Sequence, residues 1–152
     1  MSRFDEAVTE FLAIEKVAAT VPRWRSMTHG DYAEARMTVV VPGTRFRGRI
    51  ILTGHRVRVP PKYGFALIFR NERVLGLDVN PGRGHRNLLV PAKVGGTHWQ
   101  RWPHMEAETD DRNHPFTVWL SEFLRMANVT CNFRVLSPPQ GVQLDLSKWP
   151  RS

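Results

Sequence analysis

The residues best equipped for chemistry are gathered in one stretch. Asp78 closes an apolar run, and Arg83, His85, Arg86 and Asn87 follow across a Gly/Pro-rich loop. Thr97, His98, Trp99 and Arg101 come soon after. Two imidazoles flanked by arginines are a sufficient set for cleaving RNA without a metal. One histidine takes the proton of a ribose 2′-hydroxyl, the other protonates the leaving oxygen, and arginine stabilises the charge that builds on phosphorus. In that scheme His85 and His98 are acid and base, and Asp78 orients one imidazole. Arg83, Arg86 and Arg101 hold phosphate, while Trp99 stacks on an unpaired base.

Other chemistries fit less well. Asp78, His85, His98 and His104 are acceptable ligands for Zn²⁺ or Mn²⁺, but none of the short spacings of ribbon or helical zinc sites occurs, so no metal is assigned. Gly82-Arg83-Gly84 lacks the Gly-Lys-Ser/Thr ending of a phosphate-binding P-loop, and no Gly-x-Ser-x-Gly nucleophile turn is present. Cys131 is the single cysteine, which excludes an internal disulfide, and its alternating apolar setting predicts a buried, inert thiol. No cofactor is implied.

A second feature lies just upstream. Arg45, Arg47 and Arg49 alternate with other residues, and so do Arg56 and Arg58. In a strand, residues two apart share a face, so each set predicts a basic stripe. Twelve Lys and Arg residues fall between Arg45 and Arg101, against Glu72 and Asp78 alone. The net charge of +8 is therefore concentrated in the middle third, and 18 of the 22 basic residues are arginine. Arginine forks onto phosphate where lysine acts as a point charge, which favours a nucleic-acid partner, RNA before DNA. A general preference for arginine codons gives the same bias without a partner.

The elements that must position these residues follow from period and punctuation. Phe4, Ala7, Val8, Phe11 and Leu12 predict a helix from Arg3 to about Ala19, opened by a Ser2–Asp5 capping box. Strands are expected at Met37–Val41, through Arg45–Leu52, at His55–Val59 and around Thr97–Trp102, with a short one near Leu88–Val90. The apolar arms Gly64–Arg70 and Arg73–Val79 predict a hairpin turning at Asn71-Glu72. Glu106 to Asp111 reads as a solvated acidic loop. Pro115 to Asn128 brackets a second helix, and Cys131–Val135 and Val142–Leu146 predict two last strands. The fold class is α+β: residues 1–152 form a single domain, a central, mainly antiparallel sheet with an N-terminal helix and a second helix before the last strands. No apolar run approaches bilayer length and Met1 to Glu10 is not a signal peptide, so a cytoplasmic protein is expected.

Leu77-Asp78, His85-Arg86-Asn87 and Thr97-His98 together resemble a Leu-Asp…His-x-Asn…Thr-His pattern in small uncharacterised bacterial proteins of toxin–antitoxin or mobile-element contexts. Gln100 departs from that pattern, standing where a second strand histidine would be expected. The resemblance implies an RNA-cleaving toxin, with a proteinaceous antitoxin as partner. The alternative is a non-catalytic protein of a phage or mobile element, for example an anti-defence inhibitor, that binds nucleic acid or a ribonucleoprotein through its arginine stripes.

Overall fold

The structure is a computed structural model that describes residues 2–27, 30–81 and 96–140. Its elements, in chain order, are α1 (Arg3–Ala13), β1 (Lys16–Ala18), β2 (Arg25–Ser26), β3 (Tyr32–Val40), β4 (Arg47–His55), β5 (Tyr63–Phe69), β6 (Glu72–Val79), β7 (His98–Arg101), β8 (Ala107–Thr109), α2 (Phe116–Ala127) and β9 (Val129–Thr130). The strands form one sheet in the order β8-β7-β6-β5-β4-β3-β1-β9, with β2 added alongside β3. Every pairing is antiparallel except β1 with β9. The α+β class expected from the sequence is the class observed.

Helix α1 begins as its capping box dictates. Ser2 Oγ accepts from the Asp5 amide at 3.0 Å, and Asp5 Oδ2 accepts from the Ser2 amide at 3.2 Å. It ends six residues before the expected Ala19. The cause is Lys16, whose fully buried ammonium folds back to donate to the carbonyls of Phe11, Leu12 and Ile14. A cation at a helix C-terminus satisfies orphan carbonyls and opposes the helix dipole. Asn128 Nδ2 donates to the Ala13 carbonyl at 2.7 Å, so the residue that terminates α2 also caps α1. Asn128 is left-handed (φ 58°), a conformation asparagine tolerates.

The β5–β6 hairpin turns at Arg70-Asn71, one residue earlier than expected. Both have positive φ (50° and 66°), as a two-residue turn matched to strand twist requires. A bulge follows. Leu67 pairs with Leu75, but the next residue, Ile68, pairs with Arg73, so Val74 is the extra residue. Val74 and Leu75 are consecutive and both buried.

Other expected strands are corrected. His55 belongs to the end of β4, and residues 56–59 form bends instead of a strand. The Arg56 amide donates to the Asp31 carbonyl at 2.7 Å, which ties this segment to the loop before β3. Cys131–Val135 is not a strand; Cys131 is half-buried and its thiol faces the Phe133 carbonyl. Part of the acidic loop is the edge strand β8. The strands expected at Leu88–Val90 and Val142–Leu146 lie outside the described residues.

Both helices pack on one face of the sheet. Phe11 of α1 stacks on Phe69 with ring centroids 4.2 Å apart. From α2, Phe116 stacks on Phe65 at 5.4 Å and Phe123 stacks on Trp99 at 6.2 Å. Burial alternates along β3 and β4, as it must when only one face is covered.

Burial pushes the Lys16 ammonium down to about 8 from 10.5. Between those values the unfolded chain holds the proton that the folded chain has released, so stability rises with pH. Denaturation in urea from pH 8 to 10.5 is expected to show the native protein gaining about 3 kcal/mol relative to Lys16→Met. Parallel pH profiles would contradict a buried, titrating Lys16.

Candidate functional site

The face opposite the helices carries the polar chemistry. Register aligns Glu34, Thr53, Gly64, Asp78, His98 and Thr109 in one row across β3 to β8. The next row holds Arg36, Ile51, Ala66, Gly76, Gln100 and Ala107. The row beyond holds Thr38, Arg49, Ile68 and Arg73. Arg47 faces the same way two residues from Arg49, about 6.7 Å along the strand. Arg25 joins from β2, opposite Glu34.

Asp78 sits at the centre of this face. Its Oδ2 lies 3.2 Å from His98 Nε2 and 3.6 Å from Arg73 Nη2. His98 Nδ1 lies 2.9 Å from the Gly96 carbonyl oxygen. A carbonyl only accepts, so Nδ1 carries a proton, and the Asp78 contact becomes a hydrogen bond when Nε2 is protonated as well. Both ring nitrogens of His98 thus face acceptors of the protein itself. Arg73 reaches Asp78 by lying over Gly76: a Cβ there would meet its Nη2 at 2.2 Å and its Nε at 2.5 Å.

The strand bearing His98 is fixed from behind. Trp99 Nε1 donates to Asp110 Oδ2 at 3.1 Å. Arg112 forks onto Asp110 (Nη2–Oδ2 2.6 Å) and onto Glu122 of α2 (Nη1–Oε1 2.7 Å). Hydrogen bonds from Arg112 hold the Asp110 carboxyl down at about 2. In front, the Asn80 amide donates to Thr97 Oγ1 at 2.9 Å, which joins the end of β6 to the start of β7.

The expected site residues distribute unevenly. Asp78 and His98 come together, and Arg47 and Arg49 are exposed on the same face. Arg45 is exposed in the turn before β4, and Arg58 is half-buried beyond its end. Three assignments are corrected. Trp99 is 4% exposed and packed on Phe123, so it is core and no base can stack on it. Arg101 shares Trp99's side of β7 by the two-residue period, opposite His98, and pairs with Glu108 at 3.6 Å. Arg56 is 5% exposed, with Nη1 donating to Ser26 Oγ and to the Gly30 carbonyl; it braces a loop and does not extend the stripe. Arg83, His85 and Arg86 lie outside the described residues. Among the described residues, no three His, Cys, Asp or Glu side chains cluster to hold a metal ion, and no helix is long and apolar enough to cross a membrane.

Sequence reasoning missed Arg25, Arg36 and Arg73. Arg36 had a signal, since Glu34, Arg36 and Thr38 alternate with Ala33, Ala35, Met37 and Val39. Arg73 had none, because period two places it with Leu75, Leu77 and Val79 on the core face, and only the bulge turns it outward.

No protein-family profile, curated protein or solved structure matches this chain. Function therefore rests on the chemistry of its own residues.

Two glycine substitutions separate site from scaffold. A Cβ at Gly48 would meet the Ile68 carbonyl oxygen at 2.7 Å and the Phe11 ring at 2.8 Å, neither free to move. At Gly76 it meets only the tip of Arg73, which can swing into solvent. Urea denaturation is expected to show Gly48→Ala losing about 2 kcal/mol and Gly76→Ala less than about 0.5 kcal/mol. Equal losses would contradict this packing.

Proposed function

We propose that this protein binds RNA across the open face of its sheet. The observation that carries the reading is the one-sided gathering of Arg25, Arg36, Arg47, Arg49 and Arg73, against Glu34 and Asp78. Neutralising successive phosphates releases counterions and supplies affinity without regard to sequence. The geometry favours a single strand. A duplex major groove, about 12 Å wide, admits a helix or a two-stranded ribbon. A broad sheet face instead receives an extended strand laid over it.

The expected outcome for Arg47→Glu combined with Arg49→Glu is RNA affinity at least ten-fold weaker at low salt. The slope of log affinity against log salt should fall by about 1.4, about 0.7 per lost phosphate contact on a single strand. Fluorescence anisotropy over a salt series measures both, and an unchanged slope would remove these residues from the interface.

The 3.2 Å contact between Asp78 and His98 supports a second reading, in which the bound strand is also cut. In that reading His98 is the acid, its Nε2 proton passing from the Asp78 contact to the leaving oxygen when the strand is bound. The protein would then be a metal-independent endoribonuclease of toxin type, and a partner base would come from outside the described residues, where His85 lies. Purified protein is expected to cleave RNA in EDTA, and His98→Ala to abolish cleavage while RNA binding persists. Absence of cleavage on every RNA offered leaves a binding protein only.

A further inference from the structure

We infer that Asp78 selects an unpaired keto base, uracil or guanine, by accepting a hydrogen bond from its ring N–H. This rests on the RNA-binding reading and adds to it which nucleotide is preferred. A carboxylate at the centre of a phosphate-binding face works against phosphate, since it repels the same charge the arginines attract. Its chemistry suits a donor, and the donors an unpaired strand brings to a sheet surface are on its bases.

The two oxygens of Asp78 have different surroundings. Oδ2 faces His98 and Arg73. Oδ1 overlooks Gly64, 3.7 Å from the point where a Cβ would stand, and among the described residues no donor bonds to it. Thr53 Oγ1 leans over the same glycine, 2.4 Å from that point. One open acceptor thus shares the space over Gly64 with a hydroxyl, while a guanidinium lies at the other carboxylate oxygen. Uracil suits this set with a ring N–H flanked by two carbonyl oxygens, and guanine with a ring N–H beside one. Adenine and cytosine present a bare ring nitrogen there, whose lone pair would face the carboxylate. A site built around a donor on its ligand strongly disfavours an analogue lacking it.

The test compares anisotropy binding of short oligo(U), oligo(A), oligo(C) and oligo(N3-methyluridine), the last with the ring N–H blocked, at one salt concentration. Oligo(U) is expected to bind about ten-fold tighter than the other three, the worth of one well-made base contact. Asp78→Ala is expected to level oligo(U) with the rest while leaving the salt slope unchanged, because it removes the acceptor and Asp78 does not hold phosphate. Equal binding of oligo(U) and its methylated form, or an undiminished uracil preference in Asp78→Ala, overturns base selection with RNA binding intact. Failure of all four to bind, in native protein and variant alike, removes the RNA-binding reading and this inference with it.

Discussion

Phe11 on Phe69, Phe116 on Phe65 and Phe123 on Trp99 form an aromatic layer between the sheet and its two helices. Such pairs add about 0.5–1.5 kcal/mol each beyond the apolar area they bury. Because both helices press on one face, each strand commits every second residue to this layer and the others to water. The rows of Arg36, Arg49, Thr53, Asp78 and His98 are the complement of the core, and their spacing is that of the sheet.

The joint at the helix ends keeps that layer in place. The C-termini of α1 and α2 meet where Lys16 gathers three carbonyls and Asn128 caps a fourth. Burying an ammonium is costly unless its hydrogen bonds are satisfied. Here the carbonyls satisfy it, and the Phe11 ring lies 4.8 Å from the nitrogen. At the other side of the sheet, Arg112 ties α2 to the turn after β8 through Glu122 and Asp110. Each helix is thus tied by a cation to a neighbouring segment of the sheet.

Much of this was legible in the sequence. Helix α2 is bounded as Pro115 and Asn128 suggest, and the apolar hairpin follows from its two apolar arms. What was not legible depends on partners distant in sequence. The early end of α1 requires bonds from Lys16 to carbonyls of its own helix, which helical periodicity does not register. Arg56 looks like a stripe residue until the loop at Ser26 and Gly30 closes over it. Trp99 and Arg101 were placed in the site by proximity, whereas strand alternation sends them to the opposite side from His98.

The bulge at Val74 acts as a phase shift. Ahead of it and behind it the strand keeps its alternation, but the two halves are out of step by one residue. Arg73 is therefore at the surface because the bulge takes Val74 out of the alternation between it and Leu75. Exchanging Val74 for another apolar side chain keeps the count and leaves the guanidinium facing Asp78. Losing that codon would set Arg73 next to Leu75 in a regular ladder and still leave it outward, whereas keeping Val74 and losing the bulge would send the charge into the aromatic layer. For this strand, the bulge carries information that composition does not.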